Sequence, residues 1–102
     1  MLNKISAPID GLIIASPSNP TGTMLSEDAL KTISDYCTLH NIRLISDEIY
    51  HGITYHRQGV TARKFNKDAI IINSFSKYFS MTGWRVGWMV APPDLLRSIE
   101  CL

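Results

Sequence analysis

Long hydrophobic runs, an excess of one charge and a framework of cysteines are all missing from this 102-residue sequence. Apolar runs such as Leu12–Ala15 and Ala69–Ile72 fall far short of the roughly 20 residues that cross a bilayer. No membrane partner is therefore expected. The opening residues, MLNKISAPID, carry no apolar segment of a secretory signal. Cys37 and Cys101 cannot make a disulfide framework, and together with the missing signal they point to a reducing, cytoplasmic setting. Ten basic against nine acidic side chains leave a formal charge of +1, so no nucleic-acid partner is expected. There is no G-x-G-x-x-G or Walker loop, and no repeat, low-complexity tract or linker. Cys37 and His40 are spaced like half of a metal site. No second pair exists, both fall on an apolar helix face, and packing is the expected role, with no metal.

What is present has the composition of one small globular domain, 45% hydrophobic and 19% charged. GLIIAS (11–16) reads as a short, continuously apolar strand of the kind buried on both faces of a parallel sheet. PSNPTGTML then breaks the chain into a loop. Ser26 is placed to cap a helix, with Glu27 and Asp28 in its first turn and Asn41 as its stop. Helical spacing puts Ala29, Leu30, Ile33, Tyr36, Cys37 and His40 on the buried face. IRLIS (42–46), AIIIN (69–73) and WRVGWMVA (84–91) read as further strands, with a turn of helix near Ala62–Phe65 and a last helix after Pro92-Pro93. That helix, with Leu95, Leu96, Ile99 and Leu102 as its apolar positions, stops without a cap. Strand–helix–strand order predicts an α/β sheet of neighbours in sequence. Three parallel strands are expected, with the fourth antiparallel because the segment 74–83 is short for a parallel crossover. Such strands need helices on both faces. Only one full-length helix is available, so the chain reads as part of a larger domain.

In open α/β sheets ligands bind beyond the carboxyl ends of the strands. Here those ends are SPSNPTG, SDEIY and NSFSK, which bring Asn19, then Asp47 and Tyr50, then Ser74, Ser76 and Lys77 to one rim. Each has a plain reading alone. Lys77 could be a solvated loop residue, Asp47-Glu48 a cap, and Asn-Pro-Thr-Gly a turn. Trp84 and Trp88 would be core residues of the last strand, and His51 and His56 have no identifiable partner. As a set they suit pyridoxal 5'-phosphate. That cofactor needs an amine for its imine and a carboxylate to hold a proton on the pyridine nitrogen. It also needs donors at its phenolate oxygen, and hydroxyls with a guanidinium at its phosphate.

With SPSNPTG, SDEIY and SFSKYFSMTGWRVGW in that order, the chain resembles the fold-type-I pyridoxal phosphate-dependent aminotransferases of class I/II from about residue 11 onward. The resemblance implies a partial three-layer sheet from that fold's large domain, with three parallel strands and one antiparallel. The implied reaction is amino transfer between an amino acid and a 2-oxo acid, by an intact parent that forms a homodimer. Lys77 would carry the internal aldimine and shuttle the substrate's proton. Asp47 would pair with the pyridinium nitrogen, and Tyr50 and Asn19 would donate to the phenolate oxygen, with the Asn19–Pro20 peptide cis. Ser74 and Arg85, helped by Ser76, would bind the phosphate, with Gly83 and Gly87 letting the backbone bend. An N-terminal part and a C-terminal small domain of the family find no counterpart in 102 residues. The outer strands are then expected to be open apolar edges.

Three rivals stand beside this reading. A β-lyase on the same scaffold shares every anchor, and an inactive truncated remnant would share the fold without the chemistry. Ser74-Phe75-Ser76-Lys77 also fits the S-x-x-K of acyl-enzymes, which further needs S-D-N and K-T-G. The chain offers Ser46-Asp47-Glu48 and no K-T-G.

Overall fold

Apolar strands that follow one another through short connections have to pair as neighbours, and a computed structural model, which describes residues 8–102, shows that they do. Strand β1 (Gly11–Ala15) leads to helix α1 (Glu27–Leu39), then strands β2 (Arg43–Asp47), β3 (Ile70–Ser74) and β4 (Gly87–Val90), and helix α2 (Pro93–Glu100). The four-stranded sheet has the order β1-β2-β3-β4. β1 runs parallel to β2 with Ala15 opposite Asp47, and β2 parallel to β3 with Asp47 opposite Ile72. β4 is antiparallel to β3, with Ser74 opposite Gly87. Order and directions are those expected, and β1 and β4 are the edges. Among the described residues no helix is long and apolar enough to cross a membrane.

The fourth strand is shorter than the expected span of 84–91. Thr82–Trp84 form a 3₁₀ turn, and Arg85 follows in the left-handed region at φ 52°. Neither conformation can join a ladder, so pairing starts at Gly87.

Helix α1 starts as its sequence asks. The Ser26 hydroxyl accepts from the Ala29 N–H at 3.1 Å, Glu27 and Asp28 face the positive end of the dipole, and Asn41 at φ 55° turns the chain out. Leu30 and Cys37 pack with Ile42, Leu44, Ala62, Ala69 and Ile71. The buried stripe runs Leu30, Ser34, Cys37, so the expected face is partly wrong. His40 is exposed and lies against the Tyr36 ring at 4.3 Å between centroids. Burial pushes the Cys37 thiol up from its ordinary range, as suits a packing residue.

One face of the sheet is covered along its length, and the other is open except around Ile70, which is 8% exposed. Strand alternation puts Leu12, Ile14, Leu44, Ser46 and Ile71 towards the core, and Ile13, Ala15, Ile45, Asp47, Ile72 and Met89 on the other side. Ile13 is 71% exposed, and Ile72 and Met89 are exposed too. β1 is therefore not buried on both faces, because no helix follows it onto that side. The tryptophans are not core residues either: Trp84 is 71% exposed, and Trp88 is exposed beside Phe75 and Phe79.

The Ser34 hydroxyl oxygen is buried without a hydrogen-bond partner among the described residues. Ser34→Ala removes that unmet group and adds helix propensity. It should raise unfolding free energy by about 1 kcal/mol, read as a higher urea midpoint at unchanged slope. A lower midpoint would mean that the hydroxyl is used.

Candidate functional site

Parallel pairing places the ends of β1, β2 and β3 along one edge of the sheet, and every expected site residue lies at or beyond it. After β1, the loop folds on itself: the Ser18 N–H donates to the Thr23 carbonyl at 2.9 Å and the Gly22 N–H to the Ser18 carbonyl at 2.7 Å. Asn19 is held out at the tip, exposed. Asn19–Pro20 is cis as expected, and so is Ser16–Pro17, which was not anticipated. Asn19 and Tyr50 line the same cavity of about 600 Å3, with Met24, Ile53 and Arg57 among its other walls. Arg57 closes one side by donating from Nη2 to the Met24 carbonyl at 2.7 Å.

At the end of β2 consecutive carboxylates turn to opposite sides. Asp47 belongs to the open face, and its Oδ1 accepts from the Ile49 N–H at 3.1 Å. Glu48 turns inward and is 3% exposed. Its Oε1 accepts from the Ala62 N–H at 2.9 Å and the Ser46 hydroxyl at 3.1 Å. The turn that follows, closed by the His51 N–H donating to the Glu48 carbonyl at 3.0 Å, sets Tyr50 half-buried at the rim. Lys77 Nζ stands 5.9 Å from the centre of the Tyr50 ring. His51 does have partners: Nδ1 lies 3.4 Å from Glu48 Oε2, and Nε2 lies 2.9 Å from the Ser16 carbonyl oxygen.

Beyond β3 the hydroxyls gather. Ser74 Oγ and Ser76 Oγ are 2.9 Å apart, and the Ser76 N–H donates to Ser74 Oγ at 3.0 Å. Arg85 Nη1 donates to Ser76 Oγ at 3.5 Å and to the Thr82 carbonyl at 3.0 Å. The bend that returns Arg85 to the serines is made by Arg85 itself at φ 52°. Gly83 was expected to supply it, but has no positive φ and only open space where a side chain would stand. Gly87 is needed for a different reason, since a Cβ there would lie 2.6 Å from the Asn73 carbonyl oxygen.

Among the described residues, no carboxylate lies within ion-pair distance of Arg85 or Lys77, as is also true of Arg57, Arg63, Lys67 and Arg97. One guanidinium beside paired hydroxyls, without a carboxylate partner, suits a phosphate-bearing ligand. No hydrogen bond joins Asp47 to this cluster among the described residues. It shares the rim and stays separate within it. No group of three or more metal-ligating side chains occurs among the described residues.

The chain matches the family described as aminotransferase class I and II over residues 1–102. It therefore belongs to that family of α/β transferases. It is 45% identical over its whole length to the valine–pyruvate aminotransferase of Mycobacterium tuberculosis, and 40% identical to the aspartate aminotransferase of Pyrococcus horikoshii. It spans 27% of the length of each. A crystal structure of an aminotransferase from Mycobacterium tuberculosis superposes with a TM-score of 0.90 at 44% identity, covering 98% of this chain and 28% of that one. A double mutant of the Thermus thermophilus aspartate aminotransferase gives 0.93 at 26% identity, over 98% of this chain and 27% of that one.

The two glycines of the last motif should respond differently to substitution. Gly87→Ala should cost about 1–3 kcal/mol as β4 is forced off β3, while Gly83→Ala stays within about 0.5 kcal/mol of the parent. Urea unfolding of both variants checks this. Equal losses would restore the bend to Gly83.

Proposed function

We propose that this chain is the central part of the cofactor-binding domain of an enzyme that transfers an amino group between an amino acid and a 2-oxo acid. The observation that carries the proposal is the cationic hydroxyl cluster of Ser74, Ser76 and Arg85, without a counter-ion, one short loop from Lys77 and Tyr50. Pyridoxal 5'-phosphate, when bound, supplies an electron sink conjugated to the substrate's α-carbon. Ser74, Ser76 and Arg85 hold its phosphate, with Arg85 contributing charge and a planar pair of donors. Lys77 Nζ would hold the cofactor covalently and, once the substrate's amine has displaced it, would be free to take the proton from the substrate's α-carbon. Asp47, on the open face, keeps the ring nitrogen protonated by opposing its positive charge. Tyr50 and Asn19 would donate to the phenolate oxygen; the cavity that they share is not lined by Asp47, Ser74, Ser76, Lys77 or Arg85.

Amino transfer is favoured over β-lyase chemistry because the relatives that this chain matches carry aminotransferase names. The open face of the sheet and the exposed edges of β1 and β4 support the reading that further parts of a large domain, and a homodimer, belong around this chain.

In the full-length enzyme Lys77→Ala should abolish transamination and the cofactor's covalent absorption band. Asp47→Asn should keep the cofactor bound yet lower kcat by about 100-fold or more, because a neutral amide cannot oppose the ring's charge. Near-normal turnover in Asp47→Asn would overturn its assignment. The 102-residue chain alone should elute as aggregates and show no turnover in an amino-acid/2-oxo-acid assay. A monodisperse, active monomer would refute the placement of this chain within a larger domain.

A further inference from the structure

Two polar side chains beneath the rim have no part in the roles given above. Glu48 is 3% exposed and His51 half-buried, and neither belongs to the apolar core cluster. Between them they bind every segment that delivers a site residue from the first two strands. The Glu48 carboxylate takes the Ala62 N–H and the Ser46 hydroxyl on Oε1, and faces His51 Nδ1 at 3.4 Å with Oε2. The His51 ring crosses to the β1 loop and meets the Ser16 carbonyl oxygen at 2.9 Å through Nε2. A carbonyl only accepts, so Nε2 carries the hydrogen and the ring's orientation is fixed. Ser16 is fastened a second time, its N–H donating to the Asp47 carbonyl at 3.2 Å. The remaining side of the ring is closed by Gly59, where a Cβ would lie 2.6 Å from His51 Cδ2.

Chain order gives this knot its meaning. Glu48 adjoins Asp47, His51 adjoins Tyr50, and Ser16 opens the loop that carries Asn19. We propose that Glu48 and His51 are positioning residues, which set the spacing of Asn19, Asp47 and Tyr50 around the cofactor ring without touching it. The proposal rests on the function given above. Loss of the His51 bridge frees the Ser16 carbonyl and lets the Asn19 loop drift from Tyr50, whereas the Ser74–Ser76–Arg85 cluster, tied only to its own segment, stays in place. The pair therefore acts on the phenolate end of the cofactor and not on its phosphate end.

The test uses the full-length enzyme loaded with pyridoxal phosphate, and reads the pH midpoint of the cofactor's visible absorption change. Weaker donation from Asn19 and Tyr50 raises the proton affinity of the cofactor's covalent link. His51→Ala should therefore move the midpoint up by about one pH unit. His51→Gln places an amide N–H near the position of Nε2 and should recover at least half of that shift. Gly59→Ala removes no polar group but displaces the ring, and should move the midpoint in the same direction. It keeps the test open if His51→Ala fails to fold. Midpoints of His51→Ala or Gly59→Ala unchanged within about 0.2 units would overturn the positioning role, as would a His51→Gln indistinguishable from His51→Ala. Failure of the underlying reading looks different: the absorption band would then survive in Lys77→Ala.

Discussion

Parallel hydrogen bonding of β1, β2 and β3 is the constraint from which the rest follows. It forces three strands to end at one edge, although their chain positions are far apart, and the register puts Ala15, Asp47 and Ile72 at the same level. Everything chemically notable begins within a few residues of that line. An antiparallel sheet with the same strands would send Asn19 and Asp47 to opposite ends. The turns beyond the edge then carry the work of orientation. Each is held by its own backbone bonds: Gly22 to Ser18, His51 to Glu48, and Ser80 to Lys77.

The sheet also divides labour between its faces. Its covered face holds the packed residues, from Leu30 and Cys37 on α1 to Leu44 and Ile71 on the strands, together with the inward-turned Glu48. The opposite face carries Asp47 among Ile13, Ile45 and Ile72. Since the side-chain period of a strand is two, Asp47 and Glu48 cannot share a side. One becomes an internal acceptor with two donors on Oε1, and the other is left at a rim. The same alternation explains why Ser46 is buried and helps to satisfy Glu48.

Local patterns were the legible part of this protein. Apolar runs located the first three strands to within a residue, Ser26 and Asn41 bounded α1, and the short segment before β4 fixed its direction. Motif spacing also brought Ser74, Ser76 and Arg85 to one place. What escaped depended on contacts distant in sequence or on a single dihedral. Nothing near His51 announces that its partner is the Ser16 carbonyl, and nothing near Arg85 states that it, not Gly83, will turn left-handed. α1 buries Ser34 and exposes His40, although helical periodicity alone put His40 on the buried face. The bare face of β1 was misread for a related reason. An apolar strand records what can cover it, and here only one side has a helix.

The position of Asp47 carries a further physical consequence. Its carboxylate emerges beside apolar neighbours, at the level of Ala15 and Ile72, and accepts the Ile49 N–H on one oxygen. Covering that face with apolar surface alone would remove water from a charge with little to replace it, at a cost of several kcal/mol. Covering it with a ligand whose facing edge is cationic turns the same burial into an attraction strengthened by the lower local dielectric. A flat, largely apolar ring with one protonated nitrogen meets both demands, whereas a purely hydrophobic or anionic occupant meets only one or neither. Across the rim, Arg85 and the serines make the opposite demand for an anion. On the function proposed above, a ligand cationic on one edge and phosphorylated at the other would satisfy the two ends together, with Lys77 and Tyr50 supplied by the loops between them.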